Sequence, residues 1–240
     1  MLPWGAPFEW LAAGWRDFTR APLIGLFYGS CFVCMGWSLL WVFQFAAAYT
    51  LALSAGFLLL GPFLCLGLYQ ASRILARGKQ PRLLDTMTAW RGNMSSMAIF
   101  GFILLVVEML WGRSAMVIFA VSFDTVPQFN GTLSQLLLPE YLTFVATYLA
   151  VGTLFAGLIY AIGVVSIPMI LDQSADAITA GLSSMRLVFT QPGVMMLWAA
   201  MITFIVLVAM LPGFLGLLVA GPVLGHASWH AYKAAMHVLD

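Results

Sequence analysis

Residues 194–211 read VMMLWAAMITFIVLVAML, eighteen positions without a charge. A helix needs about 20 apolar residues to cross the hydrocarbon core of a bilayer, and an uncharged run of about 18 already reads as a crossing. The run is continuous, so it lacks the alternation of a membrane-barrel strand. In lipid the backbone must satisfy its own hydrogen bonds, which makes the helix the default. Five further runs of the same kind flank it, at 22–43, 49–69, 94–117, 141–171 and 214–232. The last is the least apolar. Its uninterrupted part ends near Gly225, which brings His226 and His230 to the membrane boundary.

The whole chain agrees. Of its 240 residues 62% are hydrophobic and only 8% are charged, against about 25% charged in a soluble domain. Ten Lys and Arg stand against nine Asp and Glu. That balance leaves no electrostatic footprint for nucleic acid. The expected fold class is all-α membrane: a six-transmembrane-helix bundle forming one integral membrane domain over 1–240. The first twenty residues lack a basic stretch leading into an apolar one, so no cleavable signal peptide is expected. Cys31, Cys34 and Cys65 lie within apolar runs and read as small fillers rather than a disulfide framework.

Lys and Arg set the orientation. Arg16, Arg20, Arg73, Arg77, Lys79, Arg82, Arg91, Arg186 and Lys233 fall on one side of six crossings, and only Arg113 falls on the other. Asp124 and Glu140 lie in the segment between spans three and four. Both termini are therefore expected in the cytoplasm, with the chain in an inner membrane.

Short amphipathic segments precede spans one, three and five. Their apolar faces are Phe8, Leu11, Ala12, Trp15 and Phe18; then Leu83, Met87, Trp90 and Met94; then Ala175, Ile178, Leu182, Met185 and Phe189. Spacings of three and four put each set on one side of a helix. Three interfacial helices, at 8–20, 83–94 and 175–189, are expected to lead into transmembrane hairpins.

Gly56-Phe-Leu-Leu-Leu-Gly61-Pro62-Phe-Leu64 has a partner in Gly216-Leu-Leu-Val-Ala-Gly221-Pro222-Val-Leu224, at a constant separation of 160 residues. The register continues with Tyr69 on Trp229, Ala71 on Ala231 and Arg73 on Lys233. Ala13-Gly14 resembles Ala180-Gly181 more loosely, and residues 19–22 resemble 190–192. These matches suggest an internal repeat of helix-plus-hairpin units, roughly 7–79, 80–172 and 173–240. Each Gly-Pro is expected to kink a helix, because proline removes a backbone donor and crowds the preceding turn. Corresponding broken helices point either to packing or to a transporter's binding site. Gly61, Pro62, Gly221 and Pro222 are candidate binding residues on the second reading.

Glu108 is the one acid well inside a span. At ~1.5 Å per residue from Met94 it lies ~21 Å deep, where an ionisable group is costly and marks a functional hypothesis. Arg113 is five residues on, a poor helical spacing for pairing. His226 and His230 are four apart on one helical face and form a candidate metal pair. The alternative is a polar helix end anchored by Trp229 and Tyr232 at the interface, with His237 and Asp240 close by. Cys31-x-x-Cys34 lies mid-helix, away from the exposed helix start that a redox motif requires. Gly25-x-x-x-Gly29 and Gly221-x-x-x-Gly225 are small-residue faces for close helix contact.

No metalloprotease, nucleophile-elbow or phosphate-loop motif is present. The expectation is a non-enzyme without a cofactor, in contact with the lipid bilayer and with other membrane proteins or copies of itself. Its leading role is an accessory or scaffold subunit of a membrane complex. The alternative is a small-solute or ion transporter or channel using the Gly-Pro kinks and Glu108.

The stretches LAAGWRDFTRAPLIGLFYG (11–29), SIPMILDQSADAITAGLSSMRLVFTQPGVMMLW (166–198) and GLLVAGPVLGHASWHAYK (216–233) resemble a family of bacterial integral membrane proteins, domain-of-unknown-function family 2189. Trp-Arg-Asp and Gly-His-Ala-Ser-Trp-His are the most specific pieces of a resemblance spread over nearly the whole chain. It implies a bacterial inner membrane and a helical bundle. It implies no activity and no catalytic residue.

Overall fold

A proline disfavours helical backbone in the residue before it. Pro22 does so to Ala21, which takes φ −134° and ψ 57°, and Pro192 does so to Gln191, at φ −126° and ψ 49°. Proline itself fits the first turn of a helix, where no backbone donor is missed. The chain therefore turns sharply from helix Ala6–Arg20 into helix Pro22–Ala46, and from helix Ala177–Thr190 into helix Pro192–Met210. Asn93 makes a comparable turn without proline, at φ −137° and ψ 37°.

The computed structural model describes residues 1–46, 50–123 and 138–239; of residues 43, 44, 46, 50–59, 140, 237 and 239 only the backbone is described. Asp124 and Asp240, and the side chains of Gly56's segment, Glu140 and His237, lie outside the described residues. The described elements are helical: α1 (Ala6–Arg20), α2 (Pro22–Ala46), α3 (Thr50–Ala76), α4 (Leu83–Met87), a 3₁₀ turn (Ala89–Asn93), α5 (Met94–Ser122), α6 (Pro139–Gly163), α7 (Ser166–Gln173), α8 (Ala177–Thr190), α9 (Pro192–Met210) and α10 (Leu217–Leu239). Among them four segments are long and apolar enough to cross a membrane: Pro22–Val42, Leu83–Ser122, Tyr141–Gln173 and Pro192–Met210. Part of the expected span 49–69 falls outside the described residues. The expected span 214–232 corresponds to α10, whose apolar run is cut by His226, His230 and Lys233.

One expectation needs correction. The helix expected over 83–94 is broken into α4 and the 3₁₀ turn. Thr86 and Thr88 return their hydroxyls to the carbonyls of Leu83 and Leu84, a local bond that competes with helix propagation. The apolar faces of α1 and α8 point mainly outward. Phe8, Trp15, Ile178, Leu182 and Phe189 are exposed, whereas Trp10, Ala13, Gly14 and Asp17 of α1 and Ala177, Ala180, Gly181 and Ser184 of α8 are buried. The protein-facing side thus carries small residues, and the large side chains face the surroundings.

α10 stands at the centre, packed on by α1, α2, α3 and α9. α1 crosses it so closely that a Cβ on Gly14 would lie 2.5 Å from the Val223 carbonyl oxygen. Trp10 of α1 meets Trp198 of α9 edge to face at 5.6 Å, and Trp198 is fully buried. α5 and α6 pair through rings, Trp111 on Tyr148 and Phe119 on Phe144. Proline lies inside α3 at Pro62 and inside α10 at Pro222.

Candidate functional site

His226 and His230 leave α10 one turn apart, as their spacing requires. Their partners differ. His226 is fully buried, with Nδ1 2.7 Å from Ser72 Oγ on α3. His230 shares a 2.8 Å hydrogen bond through Nε2 with Asp17 Oδ2 on α1. The Ser72 hydroxyl also supports the Asp17 carboxylate. Four side chains on three helices thus form one polar cluster, buried at Asp17, Ser72 and His226 and half-buried at His230. Burial pushes the Asp17 carboxyl up, but the bonds from His230 and Ser72 and the nearby imidazoles outweigh it and hold the carboxyl below its usual value.

A second cluster lies beside it. Asp172, on α7, has Oδ1 3.1 Å from Arg73 Nε. Its Oδ2 accepts from Tyr232 Oη at 3.1 Å and from Lys233 Nζ at 3.2 Å. Arg73 and Lys233 are the basic ends of the two segments 160 residues apart, and they meet on one carboxylate. Lys233 also lies over the Trp229 and Tyr232 rings, 6.0 and 5.7 Å from their centroids. The space between is a cavity of about 300 Å³ lined by Arg73, Ala76, Arg77, Asp172, Trp229, His230 and Lys233.

The arrangement can hold helices and present positive charge. It gathers no set of three His, Cys, Asp or Glu among the described residues, and a catalytic zinc takes three protein ligands. The sequence singled out His226 and His230 but missed Asp17, Ser72, Arg73 and Asp172. Only the match of Arg73 to Lys233 hinted at them.

The other candidates lie apart. Glu108 is buried in α5, and its Oε2 has no hydrogen-bond partner among the described residues. No ion pair among those residues joins it to Arg113 or to either histidine. Gly221 faces the Phe32 ring, which a Cβ would approach to 2.7 Å, whereas a Cβ on Gly61 would meet nothing within 4 Å among the described residues. Side-chain contact between α3 and α10 includes Leu68 against Gly225 and Ser72 against His226, beyond both prolines.

Residues 49–172, just over half of the chain, match the family described as "Predicted integral membrane protein (DUF2189)". The chain belongs to that family. The match takes in α3, α5 and α6 and ends at Asp172. The Trp-Arg-Asp and Gly-His-Ala-Ser-Trp-His stretches, which carry the histidine cluster, lie outside it. Membership makes this an integral membrane protein with several apolar helices, in contact with lipid. No curated protein and no solved structure matches the chain.

Proposed function

We propose that the chain is a non-catalytic accessory or scaffold subunit of a bacterial inner-membrane complex. In this reading it crosses the membrane six times, with both ends in the cytoplasm, and is built from three units of interfacial helix plus hairpin. The observation that carries the role is the mutual engagement of the polar side chains. Asp17, Ser72, His226 and His230 tie α1 and α3 to α10, and Asp172 ties α7 to both α3 and α10. Groups bonded in this way fix a bundle rather than turn over a substrate. Outside, large apolar side chains such as Trp37, Trp41, Phe102, Met109 and Phe204 are exposed, giving faces for lipid or for a neighbouring membrane protein.

The threefold construction is supported by Ala21, Asn93 and Gln191, which share one backbone conformation ahead of α2, α5 and α9. The inward Ala-Gly pairs of α1 and α8 support it too. The nine-to-one division of basic residues supports the orientation. Extraction in mild detergent, native mass measurement and mass spectrometry of comigrating proteins test the role. Stoichiometric companions are the expected result. A clean monomer or homo-oligomer in every detergent would overturn it.

A second reading, a small-solute or ion transporter, is favoured by Glu108 alone. A buried intramembrane acid with an unpartnered oxygen is costly and commonly marks a transport pathway. On that reading Glu108→Gln abolishes flux in proteoliposomes while the thermal midpoint holds. Unchanged flux of a transported solute would remove Glu108 from the pathway.

A further inference from the structure

We infer that the cavity between the ends of α3 and α10 binds a phosphate group, supplied by an anionic phospholipid headgroup or by free phosphate. Its lining carries three permanent cations, Arg73, Arg77 and Lys233, against the single carboxylate of Asp172. Asp172 engages two of the three. Arg77 has no ion pair among the described residues and is exposed. The lining therefore keeps a net charge of about +2 before His230 is counted, from three cations less one anion.

A guanidinium matches a phosphate with two parallel N–H donors, and an ammonium adds a point charge. Both kinds of donor border this cavity. Arg73 uses Nε on the Asp172 carboxylate, 3.1 Å away, and one terminal nitrogen on the Asp172 carbonyl at 3.4 Å; a guanidinium carries five N–H donors, so the half-buried side chain keeps others to offer. At about 300 Å³ the space sits at the low end of ~300–1,000 Å³ ligand pockets, which suits a headgroup phosphate better than a larger solute. Trp229 and Ala76 form an apolar wall beside the charges, as a site shared by a headgroup and the start of an acyl chain requires. Basic pockets between helices near the membrane surface are the kind of site that takes anionic headgroups.

The test uses the full chain in a neutral detergent. Native mass spectrometry and thermal melts are recorded with phosphatidylglycerol, with phosphatidylcholine and with inorganic phosphate. Wild type is expected to retain phosphatidylglycerol and to melt higher with it, and phosphatidylcholine is expected to have no effect. Arg77→Gln is expected to weaken retention about tenfold with an unchanged melt in the absence of lipid. Lys79→Gln, a cation outside the lining, is expected to leave retention as in wild type. Asp172→Asn frees Arg73 and Lys233 and is expected to tighten retention, whatever it does to the melt. If inorganic phosphate alone raises the melt, and Arg77→Gln abolishes that rise, the site takes free phosphate instead. Equal loss in Arg77→Gln and Lys79→Gln would reduce the effect to general surface charge and overturn the site. So would no response to either phosphate source.

Discussion

Gly14→Ala and Gly29→Ala should each lower the thermal midpoint of the detergent-solubilised protein by about 2–12 °C. Both glycines press on α10. A Cβ on Gly14 would lie 2.5 Å from the Val223 carbonyl oxygen and 2.7 Å from the Ala227 nitrogen; a Cβ on Gly29 would lie 2.1 Å from the Leu218 carbonyl oxygen. These obstacles are backbone atoms of a helix and cannot rotate away. The helices must separate, and every contact around the crossing loosens with them. Overpacking typically costs about 1–3 kcal/mol, and one kcal/mol moves the midpoint of a chain of this size by about 2–4 °C. Alanine is the better helix former by about 1 kcal/mol, so a fall would occur against propensity. Gly157 supplies the control, because a Cβ there meets nothing within 4 Å among the described residues. Gly157→Ala should hold or raise the midpoint. If all three variants melt alike, α1 and α2 do not dock on α10 as described.

These positions also show what the sequence could and could not convey. The helical membrane class was legible from uncharged runs such as 194–211, because composition and periodicity are local properties. Gly25-x-x-x-Gly29 was legible as a close-contact face, but its partner was not. Gly25 abuts the Phe18 ring of α1, and Gly29 abuts Leu218 of α10. Spacing says that a helix can be approached, not by what. The packed sides of α1 and α8 were hidden for a related reason. In water a large apolar stripe turns inward, whereas beside lipid it can turn outward, so the small residues Ala13-Gly14 and Ala180-Gly181 form the packed side. His226 and His230 were picked out by their shared face. Their partners lie 154 and 213 residues away in the chain, and no local pattern encodes such a meeting. Asp17 follows Arg16 in the Trp-Arg-Asp stretch and nothing beside it marks it as buried, yet it is only 5% exposed.

That buried carboxylate carries the other large effect. Asp17→Ala should destabilise the protein by about 3 kcal/mol at neutral pH. A hydrogen bond to a charged group contributes about 1.5–3 kcal/mol, and the upper end applies because Asp17 is only 5% exposed and its carboxylate lies 2.8 Å from His230 Nε2. The loss has a recognisable pH signature. The Asp17 carboxyl is held below its ordinary value of 3.8 in the fold, so the folded state binds its proton less readily than the unfolded chain does. The stabilisation is then present above that ordinary value and disappears as pH falls through the lowered folded value. Wild type should lose stability between about pH 4 and the acid limit of measurement, and Asp17→Asn should flatten that slope. A double-mutant cycle separates the pair from simple loss of packing. Asp17→Ala and His230→Ala together should cost less than the sum of the two alone, because each single change strands the other partner. Strict additivity, with an acid slope unchanged in Asp17→Asn, would show that the bond between α1 and α10 contributes nothing to stability.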